Sequence, residues 1–165
     1  MRILGIDPGL QRTGYGVVEV PGGIGAPRLV EAGVIRTQPG DDLAGRLAEI
    51  RSGLASVLAE FKPDMVAVEQ LYSHYNHPRT AILMGHARGI VFLAAAEAGV
   101  KVTSYGATMI KKSLVGSGHA SKPQVQRAIQ SLFGLKTAPE PPDVADALAV
   151  ALCHAYRTTR MAIAR

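Results

Sequence analysis

Cysteine, aromatic residues and acids are all scarce in this chain. A single cysteine, Cys153, stands among 165 residues, so no internal disulfide can staple the fold and the apolar core must hold it. Cys153 lies in an apolar helical stretch and reads as a core residue, not a nucleophile. With no secretory signal ahead of the first apolar run, a reducing cytoplasm is the expected compartment. Tryptophan is absent and aromatics make up 5% of the chain, against 18 glycines, which points to tight turns and close packing. The most apolar segment, Ala81 to Val100, is broken by His86, Arg88 and Glu97. It reads as a buried helix rather than a membrane span, with His86 as a packing residue. Acids number 13 against 18 lysines and arginines, a formal net charge of +5. That balance favours an anionic partner, nucleic acid first. No internal repeat or low-complexity tract is visible, and the length fits one domain over residues 1–165.

The apolar pattern gives the order of elements. Arg2–Asp7 and Gly14–Val20 read as strands joined by the turn Pro8–Thr13, and Arg28–Thr37 follows as a third strand after a glycine-rich turn. Loops this short make the three an antiparallel meander. From Asp41 to Phe61 apolar residues recur at helical spacing, with Asp41 or Asp42 as cap and Pro63 as stop. Asp64–Gln70 reads as a buried strand, Leu71–Pro78 as a polar loop, Arg79–Ala98 as a long helix and Val100–Tyr105 as a strand. Strand, helix, strand of these lengths is a right-handed parallel crossover. Helices are expected at Ala107–Val115, Ser121–Phe133 and Asp143–Arg157. The fold class is α/β: a ribonuclease-H-like mixed sheet, antiparallel meander plus parallel strands, flanked by helices. Actin-like kinase lobes share its first half, so the fold alone does not decide function.

The few acids fall in telling places. Asp7 ends the apolar strand RILGID, where Asp-Pro-Gly is also a strong turn tripeptide. Glu69 ends strand DMVAVE in the same way. Asp143 and Asp146 are three apart and share one helical face, while Val144, Ala147, Leu148 and Ala151 pack towards the sheet. If the fourth strand lies beside the first, all four acids can meet. Taken singly, each has an ordinary reading as a turn, a strand end or a first-turn helix acid. Together, without a cation, they would repel and take up protons. Mg²⁺ or Mn²⁺ suits such an all-oxygen ligand set and brings phosphate oxygens with it, and a pair of ions suits in-line phosphodiester cleavage. His74, His77, His86, His119 and His154 show no zinc-like spacing.

The blocks GIDPGLQRTGYGVV, VAVEQLY, GHARGIV, VGSGHASKPQVQ and DVADALAVA together resemble the RuvC-type Holliday-junction resolvases, in the right order and over nearly the whole chain. The resemblance implies a homodimer that nicks four-way junction DNA at two symmetric phosphates, two metal ions per site and a branch-migration helicase complex as partner. Its metal ligands map onto Asp7, Glu69, Asp143 and Asp146. Some relatives carry histidine where this chain has Asp143. The family's junction-facing aromatic maps onto Tyr72, where a ring can stack on an unpaired base. Its lysines near the scissile phosphate map onto Lys111 and Lys122, and Lys112 and Arg79 join them as DNA-binding candidates. The loop Ser73–Arg79 is about one residue longer than in some relatives, so the resemblance does not fix the roles of His74, His77 and Arg79.

A two-fold junction needing two matched cuts suits a C2 dimer. Helix Arg79–Ala98, apolar on most sides and carrying Gly85 and Gly89, reads as a dimer face or as a wholly internal helix. Three rival classes are an actin-like kinase, a non-catalytic junction-binding module and a ribonuclease-H-like nuclease acting on RNA. The first needs a second lobe that this length does not hold. Metal-dependent nicking separates the second, and an RNA–DNA hybrid substrate the third.

Overall fold

The computed structural model describes residues 1–23, 25–71 and 78–163. Tyr72, His74 and His77 lie outside them. A five-stranded sheet of order β3-β2-β1-β4-β5 organises the chain. Strands β1 (Arg2–Asp7), β2 (Arg12–Glu19) and β3 (Arg28–Arg36) form the expected antiparallel meander. Strands β4 (Met65–Glu69) and β5 (Lys101–Tyr105) extend it in parallel from β1. Helix α1 (Leu43–Phe61) leads into β4 and α2 (Pro78–Glu97) connects β4 to β5. Helices α3 (Ala107–Val115), α4 (Lys122–Leu132) and α5 (Pro142–Ile163) complete the chain.

Local chemistry explains the boundaries. The Asp42 carboxylate caps α1 by accepting from the Gly45 N–H at 2.6 Å, which settles the choice between Asp41 and Asp42. Ser121 and Gln124 form a reciprocal capping box at the start of α4. In the β1–β2 turn the Thr13 hydroxyl donates to the Gly9 carbonyl at 2.8 Å, and β2 begins at Arg12, two residues earlier than the pattern predicts.

Strand alternation assigns the two faces of the sheet. Leu4, Ile6, Val66 and Val68 pack with α1 and α2, whereas Ile3, Ala67 and Tyr105 pack with α3, α4 and α5. The same alternation carries Asp7 and Glu69 onto the α5 face. Leu148 and Leu152 of α5 are fully buried there, each contributing about 2 kcal/mol. Two glycines set how near α5 comes. A Cβ on Gly5 of β1 would lie 2.1 Å from the Ala147 carbonyl oxygen, and one on Gly14 of β2 the same distance from that of Asp143. Only a bare backbone admits the helix at these points. The first turns of α5 are thereby drawn down to the ends of β1 and β2.

Helix α2 corrects one expectation. It is not buried all round. Ala87, Val91, Ala94 and Ala95 pack inward, but Ile82, Phe92 and Leu93 are exposed. His86 is exposed as well, rather than packed, because it lies about 100° around the helix from Ala87. The segment Arg79–Glu97 is long and apolar enough by composition to cross a bilayer. In the fold it packs on α1 and β5.

Candidate active site

The parallel pairing of β1 with β4 sets Ile6 beside Val68. The next residues, Asp7 and Glu69, therefore leave adjoining strand ends on one face. Asp146, on the second turn of α5, comes over them. These three carboxylates line a cleft of about 320 Å³ together with Lys111 from α3 and Lys122 from α4, floored by Ile110, Val125 and Ala149. Asp143 stands beside the cleft instead of lining it. Its Oδ2 lies 3.2 Å from Nε of Arg12.

Charge and burial oppose each other here. Asp7 is raised from 3.8 to about 7 by burial first, then by the charges of Asp146, Glu69 and Asp143, with Lys122 opposing. Glu69 is raised by burial and by Asp146, against Lys122 and Lys111. Lys122 donates to Asp146 Oδ2 at 3.0 Å, and that bond raises the lysine further. Arg12 and Lys122 thus serve as the counter-charges of the acid cluster.

Arg12 pairs with Asp143 beside the cleft, and Lys122 occupies one oxygen of Asp146 within it. Among the described residues, no three carboxylate, imidazole or thiol groups stand close enough together to make a ready metal shell. The chemistry of the donors nevertheless fits a hard divalent cation. Every one is a carboxylate oxygen. Neither Asp7 nor Glu69 has a hydrogen bond from a described residue stabilising its charge. Asp143 Oδ2 is buried and accepts no hydrogen bond, and Arg12 meets it as a charge contact only. A cation between the acids would relieve their repulsion and restore Asp7 to the ionised form at neutral pH.

Other predicted residues separate. Lys112, one position beyond Lys111, points away into a groove shared with Ser113, Tyr156 and Arg157. Arg79 is exposed in the first turn of α2. Two arginines were missed by the sequence reading. Arg12 sits just before Gly14, and its proximity to α5 follows only from the close approach that Gly14 permits. Arg88, from α2, donates through Nε to the Glu69 carbonyl at 3.2 Å and through a terminal nitrogen to the Ser104 hydroxyl at 2.8 Å. A charge inside an apolar helix next to a site strand was the available signal.

A mixed sheet of this order, with acids at the adjoining ends of β1 and β4 and on a helix laid across them, defines a nuclease of the ribonuclease-H-like class. Residues 3–154 match the family model described as crossover junction endodeoxyribonuclease RuvC, and the chain belongs to that family. It is 53% identical over 156 residues to the crossover junction endodeoxyribonuclease RuvC of Rhodopirellula baltica, covering 93% of this chain and 85% of that one. The protein of the same name from Moorella thermoacetica is 46% identical, covering 94% and 91%. The structure of T. thermophilus RuvC in complex with a Holliday junction substrate superposes with a TM-score of 0.90 at 40% identity, covering 98% of this chain and 96% of that one. The yeast mitochondrial Holliday junction resolvase, at 14% identity and a TM-score of 0.70 over 98% of this chain and 80% of that one, shares the fold.

Proposed function

We propose that this cleft hydrolyses phosphodiester bonds at four-way DNA junctions, with two divalent cations, Mg²⁺ or Mn²⁺, held by Asp7, Glu69, Asp143 and Asp146. The observation that carries this reading is the convergence of Asp7, Glu69 and Asp146 with Lys111 and Lys122 around one cleft. Bound between these oxygens, the cations would activate water and stabilise the leaving 3′ oxygen. Asp7 and Glu69, fixed on adjoining strands, supply the rigid half of the ligand set. Asp143 and Asp146, whose carboxylates now rest on Arg12 and Lys122, supply the adjustable half. On releasing Asp146, the ammonium of Lys122, whose side chain is 71% exposed, is free to meet a backbone phosphate. Lys111, which lines the same cleft, is placed to do the same.

Two symmetric cuts require two copies of this site, and the open apolar side of α2, with Ile82, Phe92 and Leu93, is the face offered to a second copy. Partnership with a branch-migration helicase complex, Tyr72 stacking at the branch point and a cytoplasmic setting belong to the same reading. The test is cleavage of a synthetic mobile junction with the metal varied and Asp7→Asn as control. Paired nicks with Mg²⁺ or Mn²⁺, absent in Asp7→Asn although junction binding persists, are expected. Near-normal nicking by that variant would overturn the assignment. Faster cleavage of an RNA–DNA hybrid than of the junction would reassign the substrate.

A further inference from the structure

Arg88 carries a cation into the middle of the largely apolar helix α2, where removing it from water costs free energy unless its donors are used. Two of its nitrogens are used on the adjoining ends of β4 and β5. Nε donates to the carbonyl of Glu69 at 3.2 Å, a terminal nitrogen donates to Oγ of Ser104 at 2.8 Å, and the guanidinium lies 4.6 Å from the centre of the Phe92 ring. The other side of the same peptide is held too, because the Gln70 N–H donates to the Tyr105 carbonyl at 2.9 Å. The Tyr105 hydroxyl is in turn bonded to Nδ1 of His154 on α5 at 2.8 Å. The peptide that follows Glu69 is thus gripped from α2 and from β5.

Arg88 reaches that peptide from the α1–α2 side of the sheet, whereas the Glu69 carboxylate emerges on the α5 side. Arg88 is not among the residues that line the cleft. Its charge is also not among those that shift Glu69, which are Asp146, Lys122 and Lys111. What it supplies is geometry.

We infer that Arg88 is a positioning residue that fixes the Glu69 carboxylate for cation binding by clamping the end of β4 from behind. This rests on Glu69 being a cation ligand, as proposed above. A planar fork is suited to the task because it spans a carbonyl and a hydroxyl at once, which an ammonium does not. Loss of a hydrogen-bond partner that orients a metal ligand directly weakens cation affinity by about 10–100-fold, which sets the scale for a clamp on the ligand's own backbone.

The test measures Mn²⁺ affinity of the DNA-free protein by calorimetric titration, beside junction affinity and the Mn²⁺ dependence and pH profile of nicking. Arg88→Met should weaken Mn²⁺ binding about tenfold or more and raise the Mn²⁺ needed for half-maximal nicking in step. Saturating Mn²⁺ should recover most of the rate, with junction affinity and pH profile unchanged. Arg88→Lys, which keeps the charge and lacks the fork, should fall between the two, and it decides the matter where Arg88→Met does not fold. Mn²⁺ affinity within twofold of the parent in the folded variant, while Glu69→Gln weakens it, would overturn the inference alone. Unchanged affinity in Glu69→Gln would overturn the metal-site reading and this inference with it.

Discussion

Replacing Asp7 by asparagine keeps the shape of the side chain and deletes one charge from the centre of the acid cluster. In the cation-free protein that charge is costly. Burial, reinforced by Asp146, Glu69 and Asp143, holds the proton on Asp7 up to about pH 7 instead of 3.8. At 1.36 kcal/mol per pH unit, ionising it in the folded chain costs about 4 kcal/mol. The folded state binds the proton more tightly than the unfolded state, so the stability contributed by the protonated carboxyl is fully present below about pH 4. It is lost as pH rises through about 7. Asparagine is neutral throughout and escapes this loss. In chelator at pH 8, Asp7→Asn should therefore unfold on the order of 10 °C higher than the parent, since 1 kcal/mol moves a domain of this size by about 2–4 °C. At pH 4 the two should nearly coincide. Mn²⁺ should reverse the order at pH 8, because the parent keeps a ligand that the variant has lost. Thermal melts of both proteins at the two pH values, with chelator and with Mn²⁺, check each arm. A variant no more stable than the parent at pH 8 in chelator would refute the electrostatic account of the cluster.

Further outcomes follow from the same geometry. Lys111→Ala and Lys122→Ala should each slow cleavage and make the log–log salt dependence of junction binding shallower by roughly 0.9 per lost phosphate contact; unchanged slope and rate would mark them as ordinary surface charges. Gly5→Ala should destabilise by about 3 kcal/mol or more, because its methyl would meet backbone atoms of α5 that cannot step aside, and denaturant unfolding reads that loss directly. Tyr72, three residues past Glu69, should tolerate phenylalanine and not alanine if it stacks on an opened base, a contact worth ~1–3 kcal/mol. Cleavage of one junction at saturating Mn²⁺ by both variants decides this, and equal damage would point to its hydroxyl instead.

Much of the site could be read from the chain because backbone periodicity positions it. Asp7 and Glu69 follow their strands' alternation onto one face, and Asp143 and Asp146 follow helical spacing. Both patterns are local and survive any detail of packing. The side of α2 left open was not legible, since alanines, leucines and isoleucines surround that helix and only the sheet decides which stripe is covered. Lys111 and Lys112 show the opposite case. Adjacent residues on a helix point about 100° apart, so a pair taken together from sequence could not both face the cleft, and Lys112 turns away.

The counter-charges mark the boundary of what sequence can give. Arg12 and Lys122 act through long side chains attached far along the chain from the groups they meet, at separations that no periodicity encodes. Arg12 reaches Asp143 because Gly14 lets α5 settle on β2. Lys122 reaches Asp146 because α4 docks beside α5. In each case a tertiary contact between elements comes first and the ion pair follows from it. The carboxylates are therefore a property of the local pattern, whereas their partners are a property of the assembled fold. A cation entering this cleft would have to compete with Arg12 and Lys122 for Asp143 and Asp146, whereas among the described residues Asp7 and Glu69 form no ion pair that it would have to break.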